Sequence, residues 1–211
     1  IEDKHVRAEV VKVLEALGAV QIKNGWAFQF DYDYRPVLDE VVCSGCIPDQ
    51  KSHQFYPTPA NVAQAAIELA EIGPDHDCLE PSAGQGGLAD LMPKDRTLCV
   101  EVSDLHCEIL KAKGHNVIEA DFLKFAELNK SKLFDRIVMN PPYSCKRWQA
   151  HTEAAYGMLK PGGVMVAVLP VSARKSLELD GSQITFSEDF PNEFAGTSIT
   201  VVIARITKND L

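Results

Sequence analysis

The chain has 211 residues, of which 45% are hydrophobic and 24% charged, with a net charge of -9. That length and apolar share suit one core domain with a small appendage, and they exclude a disordered chain and two full domains. The acidic balance argues against broad nonspecific adhesion to nucleic acid, though a local basic groove is compatible with it.

No run reaches the ~20 apolar residues of a membrane span, so no membrane partner is expected. The first residues, Ile1 to Arg7, are charged and lack the apolar run of a signal peptide. Opening on Ile rather than Met fits a trimmed chain or a fragment. Of the six cysteines only Cys43 and Cys46 stand close together. A zinc site needs a second such pair or a histidine pair, and His53 stands alone nearby. No metal is therefore expected, and the pair reads as two ordinary thiols near a turn or as a redox CxxC. Cys78 and Cys99 flank expected strands and read as core. A cytoplasmic, reducing location fits this usage.

In chain order, Val6 to Leu17 carries apolar residues at helical spacing and stops at Gly18. Ala19 to Ile22 and Trp26 to Phe30 flank Lys23-Asn24-Gly25, a hairpin signal. Arg35 to Cys43 reads as a short helix. Residues 1–54 thus form a small α+β lead-in, and residues 55–211 a second, larger unit. There the elements alternate. Helices are expected over Ala60 to Ile72, from Gly87 to Met92, over Leu105 to Lys113 and over Trp148 to Leu159, the last stopped by Pro161-Gly162-Gly163. Strands are expected over Asp77 to Leu79, Thr97 to Val102, Asn116 to Ile118, Phe134 to Met139 and Val164 to Leu169, with a β-rich segment over Thr197 to Ile206. Such alternation implies an α/β fold, a mostly parallel sheet with helices on both faces.

The first of these strands runs into Glu80-Pro81-Ser82-Ala83-Gly84-Gln85-Gly86-Gly87. Glycines there allow a ligand close to the backbone, beyond the carboxyl ends of the strands; a plain tight turn is the alternative. Glu101, ending the next strand, is placed to accept hydrogen bonds from two ribose hydroxyls. It also reads as a solvated strand-end acid. The third glycine of the dinucleotide pattern is lacking, which favours a single nucleoside. Asp121 follows the third strand, where it can accept from an adenine amino group or cap a helix. Phe122 beside it can flank the ring.

Asn140-Pro141-Pro142-Tyr143 is the most specific feature. A buried strand meets two prolines that forbid further strand or helix, so the backbone is rigid where the sheet opens. Asn140 offers a side-chain acceptor, Pro141 a main-chain carbonyl, and Tyr143 a flat face. Two acceptors gripping the hydrogens of a conjugated amine aim its lone pair at an electrophile, and strengthen as charge develops. A Pro-Pro turn after a strand is the bland alternative.

At these residues the chain resembles the class I S-adenosylmethionine (SAM)-dependent methyltransferases, and within them the N6-adenine DNA type; the lead-in, with its Asn24-Gly25 turn and the run to Phe55-Tyr56-Pro57-Thr58-Pro59, is similar to that of small enzymes of prophages and plasmids. The resemblance covers about Gln54 to Ile206. It implies a Rossmann-like seven-stranded sheet with one antiparallel strand. It implies SAM as cofactor, held by Tyr56 and Thr58 ahead of the first core helix, by Glu80, Ser82, Ala83, Gly84 and Gly86, by Glu101, and by Asp121 with Phe122. Asn140, Pro141, Pro142 and Tyr143 are implied as catalytic, acting on adenine N6 in DNA with the base flipped out. The chain departs from the family in having little room for a target-recognition domain. Only Val171 to Ala195 is left as a substrate loop. Lys146, Arg147, Arg174 and Lys175 are candidate phosphate contacts, or ordinary solvated cations. An RNA base, a release-factor glutamine amide and a non-catalytic SAM-binding accessory role stay open beside DNA.

Overall fold

The computed structural model describes residues 3–22, 27–44, 56–194 and 199–210, the side chains of Glu40, Cys43 and Ser44 excepted. Cys46, His53 and the Lys23-Asn24-Gly25 turn lie outside the described residues, so the Cys43/Cys46 alternatives have no structural counterpart.

Helix α1 spans Lys4–Ala16. Asp3 caps it, its carboxylate accepting from His5 N at 2.7 Å. Gly18, at φ +82°, ends it and donates to Glu15 O. Strands β1 (Val20–Gln21) and β2 (Phe28–Gln29) pair antiparallel as the hairpin signal predicts, and α2 spans Arg35–Ser44.

Beyond the lead-in come α3 (Ala60–Ala70), β3 (Cys78–Glu80), β4 (Thr97–Glu101), α4 (Asp104–Ala112), β5 (Asn116–Glu119), α5 (Phe122–Leu128), β6 (Phe134–Met139), α6 (Arg147–Gly157), β7 (Leu159–Pro170), β8 (Ser182–Phe186) and β9 (Val201–Lys208). The seven core strands form one sheet in the order β5-β4-β3-β6-β7-β9-β8. All neighbours are parallel except at β9, which runs against both β7 and β8. The seven-stranded sheet with one antiparallel strand is therefore present.

Helices cover both faces. Leu79 and Ile137 pack on one side with Phe122, Phe125 and Trp148 of α5 and α6. Cys78 and Val138 pack on the other with Val62, Ala63, Ala66 and Ala70 of α3. The small residues on α3 let it lie close to the sheet. Fully burying each strand Val, Leu or Ile contributes about 1.5–3 kcal/mol, and β4 is buried along its whole length. Cys78 and Cys99 are 0% exposed, core residues as expected. The lead-in docks on α4, with Leu17, Val37 and Val41 against Leu105 and Ile109.

Three local expectations need correction, and one helix lies outside the expected set. After the glycine loop there is only a 3-10 turn, Ala89–Leu91. Pro93 forces Met92 into an extended conformation, so no helix propagates. Pro161-Gly162-Gly163 does not stop α6, which ends earlier at Gly157. The three residues lie inside β7, where the pairing to β6 jumps from Phe134↔Leu159 to Arg136↔Val164. Third, the expected substrate loop contains edge strand β8, paired to β9. The helix outside the expected set is α5, whose 7 residues are too few to show periodicity in the sequence. No helix among the described residues is long and apolar enough to cross a membrane.

Candidate active site

Strand order reverses between β3 and β6. From β3 the chain builds outward through β4 to β5, then returns to lay β6 on the other side of β3. At such a switch point the loops leaving the two adjacent strands diverge and open a crevice. Those loops are the glycine loop and Asn140 to Tyr143. The resulting cleft has a volume of about 720 Å³, a size suited to a small organic ligand.

Asn140, Pro141, Pro142 and Tyr143 all line it. So do Tyr56, Thr58, Glu80, Ser82, Ala83 and Gly84 from the start of the core, and Glu101, Asp121 and Phe122 from the ends of β4 and β5. Gly86 does not. Its φ is +93°, and an added Cβ would stand 3.2 Å from Asp90 and Leu110, so it serves the turn beneath the cleft.

Glu101 shapes the loop. Its Oε2 accepts from Gly84 N at 2.7 Å, and its Oε1 accepts from Val102 N and Ser103 N, each at 2.8 Å. Burial by itself would raise this carboxyl. His106 and the Ser103 and Gly84 amides outweigh it and hold the group below the ordinary carboxylate range. Glu101 is thus charged and fixed, not the solvated strand-end acid of the alternative.

Glu80 behaves oppositely. It is 2% exposed, and its Oε2 has no hydrogen-bond partner among the described residues. Burial, with the charges of Asp90 and Glu101, pushes its carboxyl well above the usual range, and the Ala89 amide offsets only part. An unpartnered buried carboxyl on a cleft wall suits a cationic ligand group.

At the other end, Asp121 is the helix cap that the sequence allows, and it faces the cleft. It caps α5 through Lys124 N at 3.1 Å. His151 of α6, which carries no sequence signal, stands beside it. Its ring lies 5.7 Å from that of Phe122, and its Nδ1 is 3.4 Å from Ser82 Oγ. Lys113 is a second residue missed by sequence. It lines the cleft and joins Asp31 of the lead-in to Asp90, at 2.8 Å each.

The Asn140 amide is held at both ends, with Nδ2 donating to Thr58 Oγ1 and Oδ1 accepting from Tyr143 Oη. Among the four basic candidates only Arg147 lines the cleft, 3.8 Å from Asp121. Lys146 and Lys175 are exposed and stand outside it. Arg174 is turned away, donating to Asp189 at 2.8 Å and lying 5.5 Å from the centre of the Phe186 ring. Among the described residues no group of three or more His, Cys, Asp or Glu converges as a metal site.

No protein-family profile and no curated sequence matches the chain. Solved structures do. PH1948 of Pyrococcus horikoshii, an inferred RNA methyltransferase, superposes at a TM-score of 0.59 with 22% identity, over 77% of this chain and 91% of its own. The modification subunit of an inferred type I restriction enzyme from Vibrio vulnificus gives 0.60 and 16%, over 84% and 48%. TrmN from Thermus thermophilus gives 0.54 and 21%, over 71% and 48%. The chain therefore spans about half the length of the last two. At these identities the likeness is one of fold, and the fold is that of the class I methyltransferases.

Proposed function

We propose that this chain is a SAM-dependent N-methyltransferase acting on the N6 amino group of adenine in DNA. The observation that carries the reading is the clamped Asn140 amide, sharing one cleft with the acid pair Glu101 and Asp121.

The residues present fit the donor. Glu101 would hold the ribose, Asp121 and Phe122 the adenine, and Tyr56 and Thr58 the methionine end. Glu80, with its unpartnered Oε2, suits the ammonium group. Bound there, the donor supplies an electrophilic methyl on a cationic sulfur. Asn140 Oδ1 and the Pro141 carbonyl are the acceptors for the two hydrogens of the target amine. Their pull frees the nitrogen lone pair and strengthens as the nitrogen becomes positive, which favours the transition state over the ground state. Holding nitrogen and methyl in line supplies the proximity contribution. As the nitrogen–methyl bond forms, the sulfur–methyl bond would break to leave a neutral thioether, and the nitrogen would release one proton to water.

An adenine inside a duplex must be flipped out to reach this cleft, with Arg147 at the rim as the nearest phosphate contact. In this reading residues 55–211 carry the transfer and residues 1–54 brace the donor end, in a cytoplasmic enzyme of the prophage type. Transfer to an RNA base is the second reading. It is favoured by PH1948, with which the match extends over 91% of that chain.

Tritiated methyl transfer from SAM to unmethylated duplex DNA tests the proposal, with Asn140→Ala as control and digestion to nucleosides. N6-methyladenine that forms with the intact protein and vanishes in the control is the expected result. Label in RNA, or in protein from a cell extract, with none in DNA would reject adenine in DNA as the substrate.

A further inference from the structure

His151 takes no part in the transfer chemistry described above, yet it is built into the cleft wall. It is 4% exposed, and its Nε2 has no hydrogen-bond partner among the described residues. Leaving a ring nitrogen buried and unpaired costs free energy that a ligand can return. The other buried histidine nitrogen without a partner among the described residues, Nδ1 of His115, belongs to a ring that does not line the cleft and is held through Nε2 by Asp90 at 2.7 Å.

We infer that His151 is a further donor-positioning residue, its Nε2 hydrogen-bonding the edge of the donor's nucleobase. The inference rests on reading the cleft as the donor site. Location points to the base, because His151 lies against Ser82 and Phe122, and Phe122 with Asp121 is the pair read as holding the adenine. Charge points the same way. Burial, with the Arg147 charge adding and Asp121 opposing, drops the ring to about 4, so it is neutral at physiological pH. A neutral imidazole presents one donor and one acceptor, matching a neutral heteroaromatic edge.

Titration calorimetry with S-adenosylhomocysteine and with adenosine, on the whole chain, tests this. His151→Phe is expected to weaken both ligands by the same factor, about 5- to 10-fold. Ligand-free Tm should change little, because removing the unpartnered Nε2 offsets the loss of the 3.4 Å contact between Nδ1 and Ser82 Oγ. His151→Leu, of smaller volume, carries the same expectation if the phenyl ring disturbs the fold. His151→Gln, which keeps a polar tip, should recover most of the affinity. Unchanged affinity in the Phe and Leu variants overturns the inference. So does a loss confined to S-adenosylhomocysteine, or a Gln variant no better than Phe. Wild-type protein that binds neither ligand overturns the donor reading and the inference together, whereas wild-type binding with an indifferent variant overturns the inference alone.

Discussion

Tyr143 donates its hydroxyl to Asn140 Oδ1 at 2.8 Å, and Thr58 Oγ1 accepts from Asn140 Nδ2 at 3.1 Å. Both partners are hydroxyls that can donate or accept, and in this arrangement Asn140 turns Oδ1 to Tyr143 and Nδ2 to Thr58. The Asn140 amide is thereby held between its own loop and the segment ahead of α3, joining the expected donor-binding element to the expected catalytic one. Tyr143 is more than a flat stacking face. Its hydroxyl also lies 3.1 Å from Val168 O, and burial raises the phenol far above its ordinary range.

Tyr143→Phe separates these roles, since it keeps the ring and removes the donor. We expect the transfer rate to fall about tenfold, the effect of one orienting hydrogen bond of ~1–1.5 kcal/mol. S-adenosylhomocysteine affinity and target KM should stay within about twofold of wild type. Steady-state kinetics on the methyl acceptor checks this, and an unchanged rate would leave the ring as the sole contribution of Tyr143.

Glu80 gives a pH prediction. Burial raises its carboxyl in the folded state. Such a group lends stability that is full below its unfolded value near 4.5 and is lost as pH rises through the raised folded value. At neutral pH the ligand-free protein therefore carries a buried carboxyl at a cost. Glu80→Gln should raise the ligand-free Tm at neutral pH, with the gap closing below the ordinary carboxylate range. The same variant should bind S-adenosylhomocysteine more weakly, having lost the partner for its ammonium group. Thermal melts across pH, paired with titrations, read both signs. A variant less stable at neutral pH would contradict the first.

What was legible in the sequence follows from how local each signal is. A buried run ending at Pro141-Pro142 dictates a strand that stops, so β6 was placed at its observed limits, Phe134–Met139. Alternation of elements gave the layered sheet, and with it the crevice. Pro161-Gly162-Gly163 misled because the same residues that end a helix also suit a bulge; the choice was made by pairing to β6, a nonlocal fact. His151 and Lys113 gave no signal, because what marks them is convergence. Ser82 and His151 are 69 residues apart in sequence, as are Gln85 and the Ala16 carbonyl that its amide reaches.

The basic residues divide on the same ground. Arg147 lines the cleft beside Asp121, whereas Arg174 is spent on Asp189 and Ser187 O. Arg147→Gln should raise the KM for a nucleic acid target severalfold and lessen its salt dependence, losing about one phosphate contact. Arg174→Gln should leave both unchanged. KM measured over a series of salt concentrations distinguishes the two; equal effects would mean that β8 and its flanks also touch the target.

Leu17→Ala tests whether the lead-in belongs to the working cleft. Leu17 is 0% exposed and packs with Val37 and Val41 against Leu105 and Ile109 of α4. Truncating it should cost about 2–5 kcal/mol, read by urea denaturation. The contact reaches further than packing. The Leu17 carbonyl accepts from Tyr32 Oη at 2.9 Å, the neighbouring Ala16 carbonyl holds Gln85 of the glycine loop at 2.6 Å, and Asp31 holds Lys113. Loosening α1 should therefore weaken S-adenosylhomocysteine binding as well as stability, although Leu17 itself does not line the cleft. A stability loss with unchanged affinity would make the lead-in a passive appendage. Both losses in one cooperative transition would make it part of the donor site, carried to the glycine loop through Gln85 and Lys113.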